Sequence, residues 1–387
     1  MGALTGVTVL DLTRVLAGPW ASQLLADLGA DVVKVENPDS GDDTRRWGPP
    51  WTGDSGGESA YYLCANRGKR SITLDLKSPQ GRAALLDLVA GADVLLENFK
   101  TGTTEALGID YESLSAINPS LIYCSITGFG HTGPYRDLPG YDFMVQGMGG
   151  LMSVTGEANG EPQKVGVALS DILTGLYASN GILAALHERG HSGQGQHIDL
   201  ALLDVTAACL ANQATNYLVG GKIPTRMGNA HPNIAPYQSF ATADGHIIVA
   251  IGNDQQFSRF CELTGQPEIA ANSKFSNNAA RVANSGELTE LLAQALCQLS
   301  TAHWLSVCKA QGVPAGPINS IDAVFSNEQI LARDMVVDME HAERASLQLV
   351  GNPIKFSRTP VTYDRPPPLL GQHTAELDDV IEAWTKA

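Results

Sequence analysis

One acid stands alone in the apolar stretch V-A-L-S-D-I-L-T-G, Val167–Gly175, and it is Asp171. Apolar residues precede it, and a helical pattern follows from Ile172 to about His187. Two roles suit a carboxylate there. It can cap the helix, accepting hydrogen bonds from the first free backbone N–H groups. It can also act as a nucleophile that carries a group between two substrates. Other chemistries leave weaker marks. Glu36 closes a strand where an acid could hold a ribose, but the first turn reads T-R-V-L-A-G-P, without the G-x-G-x-x-G of a dinucleotide site. Neither a P-loop nor a G-x-S-x-G elbow occurs. The histidines lack H-E-x-x-H or related spacing, so no metal is expected. Six scattered cysteines read as reduced core thiols.

The elements that must position Asp171 follow from the pattern. Through Gly130 the chain alternates compact apolar runs (VTVLDL, DVVKVE, SITLDL, DVLLEN, LIYCSIT) with helical periods (WASQLLADLG, GRAALLDLVAG). Short apolar runs separated by helices indicate parallel strands with crossover helices. Such sheets bind ligands at the carboxyl ends of their strands. The loops Thr13–Pro19, Glu36–Arg46, Glu97–Gly102 and Thr127–Gly130 are therefore the places to look. Farther on, YQSFATADGHIIVAIG predicts a hairpin turning at Asp244–Gly245. The expected fold is α/β. Residues 1–223 form a Rossmann-like large domain of parallel strands and helices, 224–323 a smaller α+β domain, and 324–387 a C-terminal segment returning to the large one.

Composition narrows the partners. The 387 residues carry 41 acids against 25 bases, a net charge of −16. That excludes nucleic acid as an expected partner, because phosphate backbones need a basic surface. A small anionic ligand needs only a local cluster of donors. With 43% hydrophobic and 17% charged residues, and no apolar run expected to span a bilayer, a cytoplasmic protein without membrane partners is expected.

Eight blocks then carry a resemblance. LDLTRVLAGP, LGADVVKVENP, NRGKRSITLDLK, LLENFKTG, SITGFGHTGPY, GYDFMVQGMGGLMSVTG, ALSDILTGLYA and PPPLLGQHT run in order from Leu10 to Thr374. Together they resemble the class III CoA-transferases of the CaiB/BaiF type. The resemblance implies an interlaced homodimer and an enzyme using coenzyme A as its acyl-CoA, with small carboxylic acids as co-substrates. It makes Asp171 the nucleophile, passing through a mixed anhydride and an aspartyl-CoA thioester.

It further implies CoA contacts at Leu16 and Ala17, at Asn37, at Leu74, Asp75, Leu76 and Lys77, at Asn98, Phe99 and Lys100, and at Pro139, Gly140 and Asp142. Asn37 and Ala106 stand where relatives have basic residues, so Arg45, Lys69, Arg70 or Lys100 would have to meet the phosphates. The rival activity within the superfamily is 2-methylacyl-CoA racemisation, which pairs the aspartate with a histidine in G-H-D. Here the stretch is Gly140-Tyr141-Asp142, and a phenol is a poor base for a carbon acid, although Tyr141 can donate to a developing oxyanion. A non-catalytic CoA-binding protein of this fold would be expected to have lost Asp171. The covering Gly-rich loop of formyl-CoA transferases is replaced by RMGNAHPNIAPYQ. With GDDTRRWGPPW and AIGNDQQF, that stretch resembles the succinyl-CoA:glutarate (hydroxymethylglutarate) branch. A dicarboxylate needs a cation for its distal carboxylate. Arg45, Arg46 and Arg226 are the candidates, with His231 as helper. The plainer reading of Arg45 and Arg46 is an ion pair with Asp42 or Asp43.

Overall fold

The computed structural model describes residues 1–53 and 56–386. The chain divides into a large unit, Met1–Gly150, Val165–Cys209 and Glu328–Ala387, and a small one, Leu151–Lys164 and Leu210–Asn327.

Six strands build the sheet of the large unit: β1 (Thr8–Asp11), β2 (Asp31–Glu36), β3 (Lys69–Thr73), β4 (Val94–Glu97), β5 (Ile122–Thr127) and β6 (His197–Ala201). All pair in parallel. Their spatial order is β3-β2-β1-β4-β5-β6. The winding direction therefore reverses between β1 and β4, where doubly wound sheets open a crevice.

β1, β4 and β5 are buried throughout and β2 nearly so, which explains their continuous apolar runs, whereas the edge strand β6 leaves His197 and Asp199 exposed. Neighbours in β1 point to opposite layers. Leu10 joins Val33, Ile72, Leu85 and Leu88 in a first layer, while Val9 joins Val32, Val94, Ala178 and Ile182 in a second. The second layer holds α1 (Ala17–Asp27). The first holds α2 (Pro79–Ala90), capped by Ser78, whose Oγ accepts from Gly81 N.

Two later helices bear on the site. They are α3 (Asp142–Met148) and α4 (Leu169–Ser192). At 24 residues α4 is long and apolar enough to cross a membrane by length and composition, contrary to the expectation that no such run exists. Its apolar side instead supplies Ala178, Ile182 and Ala185 to the layer that α1 shares. The final helix, α5 (Leu377–Lys386), returns to the first layer. There Trp384 is buried, and its indole N–H donates to Asp31 at 2.9 Å.

The small unit has an antiparallel sheet of β7 (Tyr237–Ala241), β8 (His246–Ala250) and β9 (Ala315–Pro317), with β8 central. Thr242 N donates to Gly245 O at the expected turn. Phe240, Ile247, Phe257, Phe260 and Trp304 fill its core. Its chain limits differ from the 224–323 read from the pattern. Gly228 N bonds Gly156 O, and the Arg226 guanidinium donates to Glu157 O and Gly160 O. Asn212 and Asn216 reach Asn233. Those bonds draw in 151–164 and 210–223, segments whose membership no local period encodes.

Candidate active site

Asp171 sits in the first turn of α4, two residues after its first residue, Leu169. The helix thus starts earlier than the Ile172 read from the sequence, and Asp171 does not cap it. The N-cap residue, Ala168, offers no side-chain hydrogen bond. The cap comes from the first residue of α3. Asp142 Oδ1 accepts from Ser170 N at 2.9 Å and from Asp171 N at 3.3 Å. Its other oxygen accepts from the buried Gln146 amide at 2.7 Å, and Gln146 Oε1 in turn accepts from Val165 N.

Capping and chemistry are therefore divided between two acids. Asp142 satisfies the free N–H groups of α4, which leaves the Asp171 carboxylate with no hydrogen bond among the described residues. Asp171 is 8% exposed. Burial, and then the facing charge of Asp142, push its carboxyl up to about 7. Desolvation and a like charge both disfavour the ionised form. At neutral pH the group therefore divides between acid and base, even though it lies in the first turn of a helix.

Asp171 faces a cavity of about 300 Å³ at the reversal point of the sheet. One wall follows β1 and includes Arg14, Val15, Leu16 and Ala17. A second follows β4, with Asn98, Phe99, Lys100 and Thr101. Thr127 and Gly128 follow β5, and the run from Leu138 to Asp142 closes the far side. Two glycines set that closure. A Cβ on Gly140 would lie 2.4 Å from Gly128 Cα, and one on Gly128 would lie 2.5 Å from Gly140 Cα. Only a glycine pair lets the end of β5 meet the Pro139–Asp142 segment. Tyr141, at the N-cap of α3 and 62% exposed, is among the residues that line the cavity. Asn98 bridges the first two walls, accepting from Arg14 N at 2.9 Å and donating to Arg14 O at 2.7 Å.

Below the β1 loop lies a buried cluster of charges. Lys34 pairs with Asp42, and Lys69 with Asp11, each at 3.0 Å with all four side chains fully buried. Lys34 also donates to Thr13 O at 2.7 Å. Asp11 accepts from Thr13 N and Ser22 Oγ. Burial raises the Asp42 carboxyl, but Lys34 and the Thr44 bonds together hold it below the ordinary carboxylate range. Asp42 Oδ1 accepts from Val15 N at 3.2 Å. Val15 has φ +72, a left-handed conformation that is costly for a β-branched residue. The cluster holds the strained wall in place.

The cavity thus gathers Asp171, Tyr141, Leu16, Ala17, Asn98, Phe99, Lys100, Pro139, Gly140 and Asp142. It does not gather the rest. Asn37 turns its own loop, accepting from Asp39 N and Ser40 N. Leu74 is core, Leu76 packs against it, and Asp75 accepts from Lys77 N beyond the end of β3. These positions follow β2 and β3, on the side of the sheet away from the reversal point.

Arg45 is corrected most sharply. It is 7% exposed and bonds Glu36 twice, at 2.7 and 2.8 Å. It also pairs with Glu58, donates to the Tyr62 hydroxyl and to Pro368 O, and stacks on the Tyr62 ring. Its five donors are engaged inside the protein, so the plainer ion-pair reading wins, with Glu36 and Glu58 as partners in place of Asp42 or Asp43. Lys69 is likewise consumed by Asp11, and Arg70 pairs with Asp31. Of the cations weighed for the phosphates, Lys100 alone lines the cavity. Arg46 points to solvent, 3.9 Å from Asp43. Arg226 and His231 belong to the small unit. There His231 Nδ1 accepts from Asn233 N, and its ring lines a separate cavity with Lys222 and Asn216.

Three residues went unnoticed in the sequence. Arg14 and Arg136 line the cavity. Tyr61 feels the charge of Asp171: burial, and then that charge, raise its phenol to about 12. Arg14 lies inside a strand-end loop that the pattern had marked. Nothing local marks Tyr61.

An almost buried carboxylate facing a cavity at the reversal point of a doubly wound sheet agrees with the comparison to known proteins, where residues 4–374 match CoA-transferase family III. The chain belongs to CoA-transferase family III. It is 52% identical to a succinate–glutarate CoA-transferase of Agrobacterium fabrum, over 97% of this chain and 94% of that protein. It is 46% identical to the succinyl-CoA:glutarate CoA-transferase of Homo sapiens, over 97% of this chain and 85% of the human one. Among solved structures, a CaiB/BaiF family protein from Brucella suis superposes with a TM-score of 0.87 at 51% identity, covering 98% of this transferase and all of that chain. No histidine lines the cavity among the described residues, so the transferase lacks the partner that racemisation would need there.

Proposed function

We propose that the transferase moves CoA from succinyl-CoA to a short dicarboxylate such as glutarate, with Asp171 as the covalent carrier. One observation carries this reading: an almost buried carboxylate, free of hydrogen bonds among the described residues, faces the cavity of a family III chain. An Asp171 oxygen attacks the thioester carbon, the C–S bond breaks, and CoA thiolate leaves a mixed anhydride. The thiolate attacks the aspartyl carbonyl, releasing succinate and forming aspartyl-CoA. Glutarate then attacks that thioester, and the freed thiolate takes the glutaryl group from the second anhydride. Asp171 is regenerated, and no net proton is exchanged. Dividing one transfer into such steps is the benefit of covalent catalysis. Tyr141 is suited to donate to the oxyanion formed at each attack. CoA would run along the β1 and β4 walls, with Lys100 toward its phosphates.

The same reading takes the transferase as a cytoplasmic homodimer. Leu218, Val219 and Ile223 are 78%, 84% and 72% exposed, more apolar surface in one place than a lone chain usually leaves to water. Sedimentation should give a dimer.

Incubation with succinyl-CoA and a panel of free acids tests the substrate reading, new CoA esters being identified by mass. Glutarate should outcompete a monocarboxylate of equal length, and equal use of both would end it. In deuterated water the α-proton of a 2-methylacyl-CoA should stay unexchanged, whereas rapid exchange would favour racemisation.

A further inference from the structure

With Arg45 internally engaged and Arg46 turned to solvent, the distal carboxylate of a diacid needs another cation. Among the described residues three cationic side chains line the cavity: Arg14, Lys100 and Arg136. Lys100 follows β4, and Arg136 has its own neighbour, Asp137, at 3.6 Å. Arg14 differs in how it is held. Its backbone is clasped in both directions by Asn98, at 2.9 and 2.7 Å. The carbonyl before it accepts from the fully buried Lys34, and the N–H after it donates to the buried Asp42. The following residue is the strained Val15. The stem is thus fixed while the head is half solvated. Its one ion pair among the described residues is with Asp43 at 3.0 Å, with side chains 48% and 39% exposed. A pair so open to water is weak and exchangeable. The guanidinium keeps donors for a second, bidentate carboxylate. Arg14, Asp43 and Asp171 all line this one cavity.

Building on the proposed dicarboxylate transfer, we infer that Arg14 determines acid specificity: its guanidinium takes the distal carboxylate while the near carboxylate meets Asp171, and Asp43 is the internal competitor for that guanidinium. A monocarboxylate brings a methyl group to the same place and gains nothing from it.

Paired acceptors of equal length, glutarate and valerate, test this with succinyl-CoA as donor. Arg14→Gln should lower the glutarate:valerate ratio of kcat/KM by about tenfold to a hundredfold, chiefly through the KM for glutarate. Arg14→Lys should restore part of the ratio, as a point charge without the fork. Asp43→Asn should lower the KM for glutarate, but not in an Arg14→Gln background, where the competition no longer exists. A glutarate:valerate ratio unchanged in Arg14→Gln, or lowered equally by Arg136→Gln, would overturn the assignment. Hydroxylamine capture separates the two levels. Asp171 hydroxamate with an unchanged ratio sinks the Arg14 role alone, whereas no hydroxamate in the native enzyme sinks the carrier reading beneath it.

Discussion

Asp171 and Asp142 show how two acids 29 positions apart take different work from their surroundings. Asp142 has three donors and holds a helix end; Asp171 has none among the described residues, which leaves its lone pairs open for the proposed attack on substrate. In the proposed carrier role the attacking form of Asp171 is the base, and its carboxyl is pushed up to about 7. Consequently kcat/KM for succinyl-CoA should rise with pH through that value, since this profile follows the free enzyme. Asp142→Asn removes the like charge while an amide oxygen can still cap, so the rising limb should move to lower pH. Stability should run the other way. The folded value exceeds the ordinary 3.8, so the folded chain binds the proton more tightly between the two. Stability falls as pH rises through that window. Asp171→Asn should abolish CoA transfer yet be more stable than the native protein at pH 8, by at most about 4 kcal/mol, with the gap closing near pH 4. Denaturant midpoints at the two pH values measure it.

At the scale of elements, α4 must bring Asp171 to the end of β1, and Gly175 allows it. A Cβ there would lie 2.7 Å from Ala17 O and 3.0 Å from the Trp20 ring. Ala17 opens α1 and lines the cavity, so the two helices touch one turn past the carrier. Gly175→Ala should cost about 1–3 kcal/mol from overpacking and lower kcat by displacing Asp171 from the wall it faces. Urea unfolding and turnover with succinyl-CoA should both register the change. Gly181 on the same helix has no atom closer than 3.6 Å to such a Cβ, and Gly181→Ala should be tolerated in both assays.

Across the large unit, charges that look like ligand-binding groups serve as internal ties. Arg45 links β2 through Glu36 to Glu58, Tyr62 and the C-terminal Pro368. Burial lifts the Glu58 carboxyl to about 7 even with Arg45 beside it. Removing the guanidinium would strand two buried acids, which costs about 3–5 kcal/mol. Arg45→Ala should therefore lower the denaturant midpoint markedly, while the folded fraction keeps its glutarate:valerate preference. A loss of that preference with unchanged stability would restore Arg45 as a substrate ligand.

Much was legible from order and period alone. The alternation of apolar runs and helical stretches indicates a parallel sheet, carboxyl-end logic marks the Thr13–Pro19 and Glu97–Gly102 loops, and Asp171 stands out as the lone charge of an apolar stretch. Buried strands and amphipathic helices write their environment into every second or every third to fourth residue, so a local reading recovers them. The strand order, the division of capping and chemistry between Asp142 and Asp171, and the engagement of Arg45 by Glu36 and Glu58 are not written that way. They depend on which charges meet at 3 Å across long separations, and on how much water is left around them. Arg14 and Arg45 are the same residue type in neighbouring loops. Tertiary packing buries one in a ring of acids and leaves the other half-solvated over the cavity, because the energy of a charge depends on its surroundings more than on its place in the chain.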